Sequence, residues 1–103
     1  MKLLTKELEK RFAEVGSQRA KNSPIVIAKF FNPTGAGTWY ATDYYPEEKL
    51  FFGYVSIFED YNDEWGYFSL AELQDFVGRL GLGIERDLYL GEFPISKVLN
   101  PSK

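Results

Sequence analysis

The stretch Thr38-Trp39-Tyr40-Ala41-Thr42-Asp43-Tyr44-Tyr45-Pro46-Glu47-Glu48-Lys49-Leu50-Phe51-Phe52-Gly53-Tyr54-Val55-Ser56-Ile57-Phe58 decides the fold. Aromatic and β-branched residues fill both arms, and such side chains fit a pleated surface better than a helix. Tyr45-Pro46-Glu47-Glu48 supplies the turn between them. Two antiparallel strands are therefore expected, Thr38 to Tyr44 and Leu50 to Phe58. In the second, Phe51, Val55 and Ile57 alternate with Phe52, Tyr54 and Phe58, so both faces are largely apolar, as in a central strand covered on two sides.

Working upstream, Asn32-Pro33-Thr34-Gly35-Ala36-Gly37 is a dense turn signal that joins the hairpin to a further strand, Ile25 to Phe31. Pro24 can open that strand without owing a ladder donor, and the polar run Ser17 to Ser23 reads as a loop. Before it, Leu4, Leu8, Phe12 and Val15 recur at helical spacing, with Thr5 as N-cap and Gly16 as stop, which predicts a helix over residues 6–15.

Downstream, residues 59–66 are acidic and turn-rich and read as an exposed loop, with brief pairing at Tyr67-Phe68. Ser69 and Glu72 form a capping box ahead of Leu70, Leu73, Phe76, Val77 and Leu80, so a second helix is expected to run to a stop at Gly81. Residues 83–90 can add a strand, and Pro94 can start a short helix over Ile95, Val98 and Leu99. The expected architecture is α+β: an antiparallel sheet of three to five strands with two or three helices mainly on one face. At 103 residues the chain has the length of a single domain, 1–103.

Composition removes whole branches of chemistry. There is no cysteine, hence no disulfide framework, thiolate metal site or cysteine nucleophile. There is no histidine, the usual general base near neutral pH and the usual nitrogen ligand of transition metals. Charges interrupt the apolar positions of the first nine residues, so no secretory core is expected there, and Leu50 to Phe58 is about half the length of a membrane-spanning helix. These features favour the cytoplasm and no membrane partner.

The net charge of −3 conceals a lopsided distribution. Residues 1–30 carry a net +4, residues 31–75 a net −8, and the remainder +1. An acidic centre argues against direct binding of nucleic acid, which requires cations against phosphates, and suits a basic protein partner.

Four groups of residues compete as sites. Gly78-x-x-Gly81-x-Gly83 superficially resembles a phosphate loop, but those glycines close a helix where a phosphate loop opens one. Glu85-Arg86-Asp87 offers acid/base groups, yet the arginine keeps its neighbours ionised, and internal ion pairing is the simpler reading.

The aromatic excess is the third group. Eighteen aromatic residues, twelve of them between Trp39 and Phe68, are a large share for a chain this short, and core packing is the simpler reading for most of them. Tyr61 and Trp65 sit within the acidic loop where no periodicity demands them, which marks them as interface residues. An RNA-stacking sheet is conceivable, but the aromatic segment lacks cations. The fourth group is acidic: Asp43, Glu47, Glu48, Glu59, Asp60, Asp63 and Glu64, on two loops that a meander would place at opposite ends. Asp60, Asp63 and Glu64 lack the spacing of a calcium loop. The expected partner surface is therefore Asp43, Glu47, Glu48, Glu59, Asp60, Tyr61, Asp63, Glu64 and Trp65, with no catalytic residues, metal or cofactor.

Several blocks occur in an unusual common order: Leu3-Leu4-Thr5-Lys6-Glu7-Leu8, Ala28-Lys29-Phe30-Phe31-Asn32-Pro33, Thr38-Trp39-Tyr40-Ala41-Thr42, Leu50-Phe51-Phe52-Gly53, Gly66-Tyr67-Phe68-Ser69-Leu70-Ala71-Glu72-Leu73 and Ile84-Glu85-Arg86-Asp87-Leu88. By these the chain resembles a family of small proteins of unassigned function carried by plasmids, phages and other mobile elements. Within it, the chain is similar to type II-A anti-CRISPR proteins directed at Cas9-type nucleases. The resemblance implies a monomeric inhibitor in the bacterial host cytoplasm whose partner is a large basic nuclease. It carries over no catalytic residues. Other classes left open are an enzyme acting on the nuclease or its guide RNA through Glu85, Asp87 or a tyrosine, and a mobile-element maintenance module that binds another protein.

Overall fold

Helix Lys6–Val15 (α1) begins where the Thr5 hydroxyl accepts the Leu8 N–H at 3.1 Å. It ends at Gly16, whose φ of 73° lets its N–H turn back to the Phe12 carbonyl. Both boundaries match those expected from the caps. The computed structural model describes residues 2–57 and 63–99.

The strands are Ile25–Val26 (β1), Ala28–Phe31 (β2), Thr38–Tyr45 (β3), Leu50–Ser56 (β4), Glu64–Ser69 (β5), Glu85–Arg86 (β6) and Phe93–Pro94 (β7). Five of them form one antiparallel sheet in the order β5-β4-β3-β2-β6, and β1 pairs with β7 in a separate two-stranded clasp. The remaining helices are Leu70–Asp75 (α2) and Ser96–Leu99 (α3). The fold is thus α+β on an antiparallel sheet.

The β3–β4 hairpin forms as the sequence predicts, and its register identifies the two faces. Phe30, Trp39, Ala41, Tyr44, Phe51, Gly53 and Phe68 share one face through direct pairing across β2, β3, β4 and β5. Phe12 of α1 rests on Tyr44 and Phe51 there, each with ring centroids 5.9 Å apart, and Leu73 of α2 and Ile84 join the same buried cluster. Both longer helices therefore lie on this face. Gly53 is needed because a Cβ would overlap the Tyr40 carbonyl oxygen on the adjacent strand.

A bulge interrupts the pairing between Ala41 and Asp43, leaving Thr42 as the extra residue. Beside it lies Gln18, 1% exposed. Its side chain donates to the Ile25 carbonyl at 2.9 Å and the Thr42 carbonyl at 2.8 Å, and accepts the Ile25 N–H at 2.8 Å. Its own N–H donates to Asp43 Oδ2 at 2.8 Å. The polar run is a loop, as expected, and is pinned to the sheet through one buried glutamine.

Four expectations need correction. Residues 25–31 are not one strand: the chain divides at Ile27, and its two halves pair with different partners. Glu64, Trp65 and Gly66 lie in β5, not in a loop, because pairing with Val55, Tyr54 and Gly53 of β4 satisfies their backbone. The second helix stops at Asp75, where Phe76 turns extended and meets Trp39 edge-on at 6.4 Å. A tight loop follows, closed by Gly78 N–H donating to the Leu82 carbonyl, with Leu80 at φ 61° and 90% exposed. The strand expected over 83–90 shrinks to two residues, since Asp87 Oδ1 accepts the Tyr89 and Leu90 N–H groups and bends the chain away.

Candidate functional site

The second face of the sheet carries neither α1 nor α2. In its first row, Lys29, Tyr40, Tyr54 and Trp65 are cross-strand partners on β2, β3, β4 and β5. In its second row, Asp43, Phe52 and Tyr67 follow on β3, β4 and β5. The rings form a continuous network: Phe52 and Trp65 stack at 5.9 Å, Tyr54 meets Trp65 edge-on at 5.6 Å, and Phe52 meets Tyr67 edge-on at 5.0 Å. Tyr40 closes one end against Phe93 of β7. The other end is open, with Trp65 39% and Tyr67 55% exposed. The central strand is therefore not covered equally on both sides, contrary to the reading of its alternation.

Arg19 sits on this open end. Its guanidinium carbon lies 3.7 Å from the Phe52 ring centroid, and Nη1 donates to the Tyr67 hydroxyl at 2.6 Å. Hydrogen bonding to Tyr67, then to Tyr45, holds its pKa above the ordinary arginine value. Tyr54 is pushed up first by burial and then by the negative charge of Asp63, so its phenol stays protonated at neutral pH.

The predicted acidic residues separate by position. Asp43 is 4% exposed and accepts both the Gln18 N–H and the Thr42 hydroxyl, the latter at 2.6 Å, so it is a structural carboxylate and not a partner-facing one. Glu47 and Glu48 are exposed in the turn before β4. Asp63 and Glu64 lie at the far end of that strand, where Asp63 accepts the Ser56 hydroxyl at 2.7 Å. Six residue steps of β4 separate the two acidic ends by about 20 Å. They do not form one patch: Glu47 and Glu48 lie at one end of the aromatic face and Asp63 at the other, while Glu64, paired with Val55, points to the helix-bearing side of the sheet. Trp65 belongs to that face, while Glu59, Asp60 and Tyr61 fall outside the described residues.

Reasoning from the sequence alone misses Arg19, Phe52, Tyr54 and Tyr67. The period-2 pattern Trp65-Gly66-Tyr67 is the signal that could have placed two aromatics on one strand face, and its acidic neighbours mask it.

Glu85, Arg86 and Asp87 serve the fold. Arg86 donates to the Leu3 carbonyl at 3.2 Å, and Asp87, besides bending the chain, lies 3.9 Å from Lys29 Nζ. The glycines at 78, 81 and 83 belong to the loop after α2, where Gly78 precedes a single 3-10 turn, Arg79–Gly81, that the left-handed Leu80 interrupts, too short and irregular to serve as a phosphate-binding helix start. Among the described residues no group of three acidic side chains is arranged to hold a metal, and no helix is long and apolar enough to cross a membrane.

No curated protein and no solved structure matches the chain. A family model described as "Protein of unknown function (DUF2958)" matches residues 3–102, nearly the whole sequence, and the chain belongs to that family.

Proposed function

We propose that this protein is a stoichiometric inhibitor of a Cas9-type RNA-guided nuclease, acting in the bacterial cytoplasm by binding the nuclease and impeding its engagement or cleavage of DNA. The observation that carries the reading is the open aromatic face flanked by Glu47 and Glu48 at one end and Asp63 at the other, with Glu64 at the same end on the reverse side of the sheet. An aromatic centre within a charged rim is the anatomy of a protein interface, where the rings supply the desolvated anchor and the rim sets orientation and association rate. A nuclease of this type holds nucleic acid in positively charged channels, so two acidic ends about 20 Å apart complement its surface. The resemblance of the sequence to type II-A anti-CRISPR proteins favours the same partner.

The test is titration of purified nuclease loaded with guide RNA. Inhibition should be complete at about one copy per nuclease. Converting Glu47, Glu48, Asp63 and Glu64 to their amides should slow association and weaken its salt dependence, whereas Trp65→Ala with Tyr67→Ala should speed dissociation. Full inhibition by both variants with intact folds would refute the surface. Time-dependent inhibition at far below one copy per nuclease would replace the binder with an enzyme.

A further inference from the structure

Linear charge assigns the cations to the first thirty residues and the aromatics to the middle of the chain. Folding brings the two together. The Gln18 anchor lays the segment after α1 along the open aromatic face, leaving between them a cleft of about 380 Å³ whose walls include Arg19, Lys21, Asn22, Phe52 and Trp65. We propose that this cleft is a binding site for single-stranded nucleic acid, taking a base against Trp65 and the exposed plane of the Arg19 guanidinium that covers Phe52, and its phosphates on Lys21 and Arg19. The site does not depend on the nuclease reading and can be tested without that partner.

Five features support it. The volume exceeds the lower bound of about 300 Å³ for ligand sites. The walls combine π faces with cations, the pairing that binds single strands with little regard to sequence, because every base has a face to stack and every nucleotide a phosphate. The guanidinium is pre-positioned over Phe52 and by the Tyr67 hydroxyl, and an arginine plane held in this way can itself stack on a base. No carboxylate side chain is among the residues that line the cleft, and Asp43, behind its wall, is buried and bonded to Gln18 and Thr42, so its oxygens do not compete for Arg19 or Lys21. Asn22 is exposed, and an amide offers both a donor and an acceptor to a base edge.

The experiment uses the full chain with Trp39→Phe, which leaves Trp65 as the sole tryptophan. Fluorescein-labelled octamers of uridine and of thymidine are titrated by anisotropy, with quenching of Trp65 followed in parallel and an eight-base-pair DNA duplex as comparison. The expected result is binding of the single strands with quenching of Trp65, and weaker binding of the duplex. Two cations predict a slope of log K against log salt of about −1.4. Arg19→Gln with Lys21→Gln should abolish that slope, and Trp65→Ala should weaken binding by about 5- to 150-fold. Tighter binding of uridine than thymidine would identify RNA as the ligand, and the reverse would identify DNA. Circular dichroism establishes that each variant is folded. The proposal is overturned by no binding at 20 mM salt, by duplex binding as tight as the single strand, or by affinity that survives loss of both cations or of Trp65 in a folded protein.

Discussion

Replacing Gln18 by alanine tests whether one buried side chain holds the N-terminal segment against the sheet. Three hydrogen bonds are lost, two donated by Nε2 and one accepted by Oε1. The Thr42 carbonyl is buried and left without its partner, while the Ile25 groups are only partly buried and regain some solvation. One orphaned buried group at about 1–3 kcal/mol and two partly rehydrated ones at less give a cost of about 3 kcal/mol. At about 2.1 cal/mol/K per residue of unfolding entropy, a chain of this length should lose roughly 14 °C in Tm. The assay is paired thermal and urea unfolding followed by far-UV circular dichroism. Arg19 should move off Phe52 at the same time, which raises the solvent exposure of Trp65 and red-shifts its emission in the Trp39→Phe background. A loss below about 0.5 kcal/mol, the usual range of an unremarkable surface change, would refute the anchoring role.

Three further predictions concern other parts of the fold. Gly53→Ala forces a methyl against the Tyr40 carbonyl and within 3.0 Å of the Ala41 Cα, and since backbone cannot yield as a side chain would, the loss should reach about 3 kcal/mol or more in urea unfolding. Leu80→Asn keeps the left-handed backbone at φ 61° with a residue that tolerates it, and because the leucine side chain is 90% exposed, stability should rise by about 0.5 kcal/mol. Hydrogen bonding from Arg11 holds the Glu92 carboxyl below its ordinary pKa. Its stabilising contribution is therefore complete above about pH 4.3 and disappears as pH falls through the depressed value, so Glu92→Gln should flatten that limb of Tm against pH and leave the slope at neutral pH unchanged.

The hairpin of β3 and β4 is legible in the sequence because aromatic and β-branched residues fill its arms and Pro46 and two glutamates occupy its turn. Helix α1 is legible down to its caps, since Thr5 and Gly16 act on neighbours three and four residues away. What escapes is what depends on distant partners. Strand β5 is concealed because Asp63 and Glu64 give its start a loop composition, and only pairing with β4 overrides that. Helix α2 ends early because Phe76 finds Trp39, thirty-seven positions before it. Asp43 looks like any acidic residue beside a turn until Gln18, twenty-five residues away, covers it. The aromatic half of the site could be glimpsed in composition, but the cation stacked upon it could not, because Arg19 comes from a segment with no periodicity of its own.

The β1–β7 clasp also determines the order in which this molecule comes apart. It joins Ile25 to Pro94 and Val26 to Phe93 through only two paired residues on each strand, reinforced by Ile95 N–H on the Pro24 carbonyl. By contrast, β3, β4 and β5 are held by long ladders between segments close in the chain. Closing the clasp costs the entropy of a loop of nearly seventy residues, so it belongs to the last steps of folding and to the first local opening. Amide exchange should accordingly be faster at Val26 and Ile95 than at Ala41 or Phe51. Each such opening leaves Gln18 bonded to Thr42 and Asp43 of β3 while its bonds to Ile25 lose their outer support, so the segment that carries Arg19 and Lys21 hangs on two attachments of different lifetime.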